Sequence, residues 1–342
     1  MRRSTVRVVI GMTLVLSMGS AFAVPSALAQ TPVPIKIGYQ ATPDLLLFTA
    51  RDLKLFEKAG LAPTYVKFVA GAPMIAAAES KSIDVNTAAT VPFLLGLSQG
   101  VDWVMIGIHY EGAYAEGIVA RKDSGIDTPA DLKGKRVGFF KGSTTHYGAM
   151  MILRQLGIRL DQVTLLHMEP AEQVAAMAKK DIDAAVAWEP WMQRMVYEAN
   201  AKIIATEGDL GIYTNVGGYN VRRDWLRENR ETAVRFLRAL LMAYVVLQKD
   251  PMVGVRALAE EMGIKEGLAE TIYRNAPPPK IYEWANPRYD FSLVRDAAFH
   301  RRLGYLSTFL FDEKVVAKPV DVREALDASV ITEALKTWKK GQ

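Results

Sequence analysis

The chain has 342 residues, half of them hydrophobic and 23% charged, with a formal net charge of +5 and no cysteine. That is a globular composition, and the length exceeds one ordinary core, so two domains are expected. Thiol nucleophiles, disulfides and Cys-ligated zinc are excluded, and the dispersed Lys and Arg give no footprint for nucleic acid.

Residues 1–29 read as an export signal. Arg2, Arg3 and Arg7 form a positive end, residues 8–18 an apolar core, and Ala27-Leu28-Ala29 a small-x-small cleavage pattern, with Ala21-Phe22-Ala23 as a second candidate. The apolar run is shorter than the roughly 20 residues that span a bilayer, so removal rather than anchoring is expected. Losing those three Arg lowers the formal charge from +5 to +2. An exported chain that folds without disulfides fits a bacterial periplasm. Without an N-terminal Cys it cannot be lipid-anchored, and a freely diffusing monomer is expected.

Strand and helix patterns then follow in an order that repeats. "IKIGYQAT" (35–42) reads as a strand entering a polar loop, "LFTARDLKLFEKAGL" (47–61) as a helix and "PTYVKFV" (63–69) as a strand. "MIAAAESKSIDVNTAATVP" (74–92) gives a helix, a strand opened by Ile-Asp, and a Pro able to start another helix. The series recurs as "KRVGFFKGST" (135–144), "YGAMMILRQLGI" (147–158), "QVTLLHM" (162–168) and "VAAMAKKDIDAAVAWEP" (174–190). Ile83-Asp84 and Ile182-Asp183 lie 99 residues apart, and Gly38 and Gly138 lie 100 apart. A β-α-β-α-β unit given twice predicts two α/β lobes, each with parallel strands and helices on both faces. The blander reading is that any α/β chain looks self-similar.

In open α/β sheets ligands lie beyond the carboxyl ends of the strands. Gln40 and Thr90 in the first unit, and Ser143 and Trp188 in the second, occupy such positions and would line a common cleft. "GKRVGFFKGSTTHYGAMM" (134–151) places a hydroxyl-rich turn between a strand and a helix start, a ready anion site. It is not a nucleotide loop, because Lys141 precedes Gly142 and no Gly-x-Gly-x-x-Gly is present. What remains is a seat for a small oxoanion, or a plain helix cap supplied by Ser143 or Thr144.

The segment from Gly142 to Pro190, with Ser-Thr-Thr-His-Tyr after a strand, then Ile-Asp-Ala and Ala-Trp-Glu-Pro, resembles periplasmic taurine- and alkanesulfonate-binding proteins of ABC transporters. "IGYQATPDLLLFTARDLKLFEKAGL" (37–61) and "ADLKGKRVG" (130–138) carry the same likeness. It covers most of the chain after the signal and weakens after about residue 225. The resemblance implies a two-lobed type II periplasmic-binding fold, closing on ligand by hinge motion. Lobe one would comprise 30–116 and 220–342 and lobe two 117–219, with crossings near 114–123 and 215–225. Helix patterns such as 231–248 would pack back on lobe one, and Pro277-Pro278-Pro279 would form a rigid turn.

By the same resemblance, Ser143, Thr144 and Thr145 would donate to the anion from hydroxyls and helix-start amides. His146 would add charge or pack behind the loop. Gln40 and Thr90 would donate from lobe one, and Trp188 would lie on the ligand's carbon part. Taurine binders place an aspartate on the returning segment to hold the ammonium; here Val216-Gly217-Gly218-Tyr219 offers none at Gly217. Glu189, beside Trp188, and Glu111 and Glu116, near the first crossing, are the carboxylates left to meet an amine. Tyr110, Tyr114, Trp191 and Tyr219 would enlarge and aromatise the cleft, favouring an aryl or longer-chain ligand.

The function implied is capture of a small organic anion, foremost a sulfonate, for an ABC permease and its ATPase, with no cofactor and no metal. Nitrate, a carboxylate, a zwitterion or a thiamine-type pyrimidine are the alternative ligands, and a ligand-sensing partner of a receptor the alternative role. An enzyme is disfavoured. Pyrimidine synthases of thiamine biosynthesis share this fold but use a cysteine cluster, and no His-Glu-x-x-His or Gly-x-Ser-x-Gly occurs.

Overall fold

The computed structural model describes residues 31–212 and 215–341; the expected signal, 1–29, lies outside them. Among the described residues, ten strands carry the fold: β1 Val33–Gln40, β2 Leu61–Phe68, β3 Val85–Asn86, β4 Trp103–Glu111, β5 Glu116–Arg121, β6 Arg136–Phe139, β7 Thr164–His167, β8 Ala184–Trp188, β9 Ala201–Thr206 and β10 Val216–Arg222. They form two sheets of five, in the orders β2-β1-β3-β10-β4 and β7-β6-β8-β5-β9.

The internal repeat has an atomic basis. β1 lies between parallel β2 and β3, as β6 lies between parallel β7 and β8. Each Ile-Asp pair works in the same way in both sheets. Asp84 Oδ2 accepts the Lys36 amide at 2.8 Å, and Asp183 Oδ2 accepts the Arg136 amide at 2.9 Å. Each preceding Ile fills the space that a side chain on the paired glycine would take. A Cβ on Gly38 would stand 2.8 Å from Ile83 Cδ1, and one on Gly138 3.0 Å from Ile182 Cδ1.

The all-parallel expectation does not hold. β10 runs antiparallel to β3 and β4, and β5 runs antiparallel to β8 and β9. The reason is that each sheet receives one strand from a segment arriving out of the other lobe, which enters against the local direction. The crossings are short. The chain leaves the first sheet at Glu111, makes a single 3-10 turn at Gly112–Tyr114 and enters the second at Glu116. It returns between Thr206 and Val216, so residues 216–219, expected in lobe two, sit in the first sheet.

Packing follows strand alternation. In the second lobe Ile118, Ala120, Ala184 and Val186 face the helix Thr144–Gln155, whereas Val119, Ala185 and Ala187 face the helices Pro170–Ala178 and Trp191–Glu198. The first lobe owns one large core, to which the helix Arg230–Lys249 contributes along its length. Phe236 of that helix stacks on Phe56 with ring centroids 5.4 Å apart.

Candidate functional site

The carboxyl ends of β1, β6 and β8 meet the crossing segments, and a small inner cavity lies between them. From the first lobe Gln40, Thr42 and Ala89 line it; from the second, Ser143, Thr144 and Trp188; from the crossings, Tyr110 and Asn215. Its volume is about 20 Å³, little more than the space of one water. Among the described residues, no Lys, Arg or His lines it.

The second lobe presents the start of the helix Thr144–Gln155. Ser143 holds the N-cap position with extended backbone, φ −102° and ψ 174°, yet its side chain makes no capping bond. Its hydroxyl instead donates to the Phe140 carbonyl at 2.7 Å and lies 2.8 Å from Thr145 Oγ1. Since Ser143 has one proton and gives it to that carbonyl, Thr145 is the donor between the two hydroxyls. The Phe140 amide closes the ring onto Thr145 Oγ1 at 3.4 Å. Thr144 Oγ1 donates to Glu116 Oε2 at 2.6 Å. All three hydroxyl protons are thus committed within the protein. The first amides of a helix lack intrahelical acceptors, and the dipole makes that end positive. The loop therefore offers backbone N–H groups, with the hydroxyls bracing it.

Behind Thr144 lies an acidic knot. Glu116, at the start of β5, is fully buried, and so is Glu207, just after β9. Burial, with the neighbouring Glu207 carboxyl, pushes Glu116 well above the ordinary carboxylate range, which favours its neutral form. Tyr110, bonded by Asn215, is likewise raised well above its usual value by burial.

The other expected residues fall differently. Thr145 serves the loop and does not line the cavity. His146 stacks on Phe139 at 4.7 Å, and burial lowers it to about 4, so it packs behind the loop and adds no charge at pH 7. Thr90 begins the helix Thr90–Ser98, and its Oγ1 accepts the Val216 amide at 3.5 Å; Ala89 and Pro92 line the cavity in its stead. Glu189 is buried, accepts the Gln193 amide at 3.2 Å and is raised to about 7 by burial. Glu111 bonds Tyr289, away from the inner cavity.

Gly217 faces inward to the sheet. A Cβ there would stand 2.2 Å from His109 Nε2 and 2.5 Å from Tyr110 Cδ1, so a side chain at 217 would have to displace those rings. The returning segment meets the cavity through Asn215, which the sequence reading missed, as it missed Thr42. Tyr219 is wholly buried and donates to Asp44 at 2.6 Å, and Tyr114 is more than half exposed; neither lines the cavity.

An outer cavity of about 620 Å³ opens from the same cleft and shares Gln40 and Trp188 with the inner one. Phe68, Val69 and Met262 line it from the first lobe, and Pro170, Trp191 and Arg194 from the second.

Three comparisons bear on this arrangement. The family model described as NMT1/THI5 like matches residues 44–253. A Bacillus subtilis (strain 168) relative named for binding aliphatic sulfonates is 26% identical, over 90% of this chain and 90% of its own. The taurine-binding periplasmic protein of Escherichia coli (strain K12) is 25% identical over 69% of this chain and 75% of its own. Among solved structures, the alkanesulfonate-binding protein SsuA of Xanthomonas axonopodis pv. citri, bound to MOPS, superposes with a TM-score of 0.73. It is 26% identical, with 86% of this chain and 98% of that one covered.

Proposed function

We propose that this chain, which belongs to the NMT1/THI5-like family, is the periplasmic binding component of an ABC importer. It captures a small organic anion, foremost a sulfonate, between its lobes and delivers it to a membrane permease driven by an ATPase. The observation that carries this reading is the uncapped helix start at Ser143, facing Gln40 and Thr42 across the inner cavity. A tetrahedral oxoanion presents three oxygens to such a ring of neutral donors, and a monoanion matches its partial charge. The names of the relatives supply the sulfonate and the periplasm.

The site is suited to binding rather than turnover. The hydroxyls that a nucleophile would need are tied to Phe140 and Glu116, and the buried histidine nearest the site, His109, is lowered to about 3 by burial and holds the Thr87 carbonyl at 3.1 Å. The chain acts as a monomer, exported by residues 1–29. The test is a thermal-shift panel of sulfonates, carboxylates, nitrate and thiamine-type pyrimidines, followed by calorimetry and mass analysis of the recovered ligand. A ligand that binds the native state raises the melting temperature. A sulfonate should give the largest rise and be recovered unchanged; a larger rise with another class, or a converted product, overturns the reading.

A further inference from the structure

At about 20 Å³ the inner cavity has no room for a carbon body, which must lie in the outer cavity. At about 620 Å³ that chamber is within the range of small-molecule sites. Its lining divides between the lobes. Phe68 and Val69 stand on one side, Trp188, Pro190 and Trp191 on the other. Val69, on the first lobe's side, leaves 64% of its surface exposed. Trp188 is held edge-on by Phe140, ring centroids 6.3 Å apart at 79°, and Arg194 lies 5.3 Å over the Trp191 ring. Two braced indoles from one lobe and a phenylalanine from the other line this chamber, and such faces take a flat ring system in offset or edge-to-face geometry.

We propose that the physiological ligand is an aryl anion, with one or two fused rings in the outer chamber and the charged head at Ser143–Thr144. This rests on the binding reading above and narrows its substrate class. Short alkanesulfonates reach the head site alone and leave the slot unfilled. Long flexible chains fill the volume but lose rotamer freedom on binding and gain no ring contact.

The test is calorimetry with four probes: methanesulfonate, octanesulfonate, naphthalene-2-sulfonate and 2-naphthoate. Naphthalene-2-sulfonate should bind at least about 30-fold tighter than methanesulfonate and tighter than octanesulfonate. Trp191→Ala should cut the naphthalene-to-methane preference about tenfold. Val69→Asp, at an exposed site where folding is safe, should cut it similarly and serves if the Trp191 variant does not fold. Octanesulfonate binding tighter than the naphthalene probe, or a preference unchanged in both variants, overturns the proposal. Failure of the sulfonate reading looks different: 2-naphthoate then binds tighter than naphthalene-2-sulfonate while both variants still weaken it, which leaves the aryl slot standing.

Discussion

The hydroxyls of the anion loop are spent on the protein, so the amides should carry the binding, and position 144 separates the two. Thr144→Ala removes the hydroxyl that donates to Glu116 at 2.6 Å, with its γ-methyl, and keeps the backbone N–H. Thr144→Pro removes that hydroxyl and the backbone N–H together. Proline suits the place: residue 144 is the first of the helix, where a fixed φ is tolerated, and Ser143 already has the extended backbone that proline demands of its predecessor. A hydrogen bond to a charged group is worth about 1.5–3 kcal/mol, so the Pro variant should bind a sulfonate about 10- to 150-fold more weakly than the Ala variant. The two should melt within a few degrees of each other, because the lost amide has no intrahelical partner. Calorimetry gives the affinities and a thermal melt the control. Equal affinities in two folded variants would refute amide binding at this position and return the anion to side-chain donors.

Three further outcomes follow from packing and titration. Gly217→Ala should cost about 1–3 kcal/mol of stability, read as a lowered melting temperature, because its Cβ must displace the buried His109 ring. Glu189 is raised to about 7, so its protonated form is favoured in the fold; its stabilising share is complete below about pH 4.5 and is lost as pH rises through 7. Glu189→Gln should therefore flatten the fall in stability between those values in melts run across pH. Asp183 is held low, chiefly by Arg136, so its share has the opposite sign and is lost as the pH falls through its folded pKa. Asp183→Asn should leave a smaller drop in melting temperature at acid pH than the native chain shows.

The repeat was legible in the sequence because each of its marks has a local cause. An Asp opening the third strand of each unit must find an edge amide, and a glycine facing the Ile before it must lack a side chain; both leave a fixed spacing in the chain. The helix start at Ser143 was legible for the same reason, since strand, turn and helix are contiguous there. What was hidden depends on contacts between distant segments. Asn215 looks like any polar residue before a strand, and only the crossing geometry brings it to Tyr110. Gly217 was assigned to the ligand by its place in the chain, yet alternation along β10 turns it toward His109. Thr90 and Glu189 were assigned by position at strand ends, and they accept the Val216 and Gln193 amides and do not line the inner cavity. Position along a strand places a residue near the cleft; the direction of its side chain decides whether it enters.

A site for an anion that keeps buried glutamates beside it needs a reason for their tolerance. An ionised Glu116 would repel any ligand charge across Thr144, and in a poorly solvated site that repulsion is large. Burial raises its pKa and so favours the neutral carboxyl, which in that form accepts the Thr144 proton and places no charge at the helix start. The same arrangement sets a limit on ligand charge. Neutral amides and a helix dipole of about half a unit charge offset much of one negative charge and little of a second. No lysine or arginine lines the inner cavity among the described residues to make up the difference. A phosphate monoester, largely dianionic at neutral pH, would face the full desolvation cost of its second charge. A sulfonate carries three oxygens on one charge at every accessible pH. A wall of neutral donors beside a Glu116 biased to its neutral form would thus favour a monoanion over a dianion of similar shape.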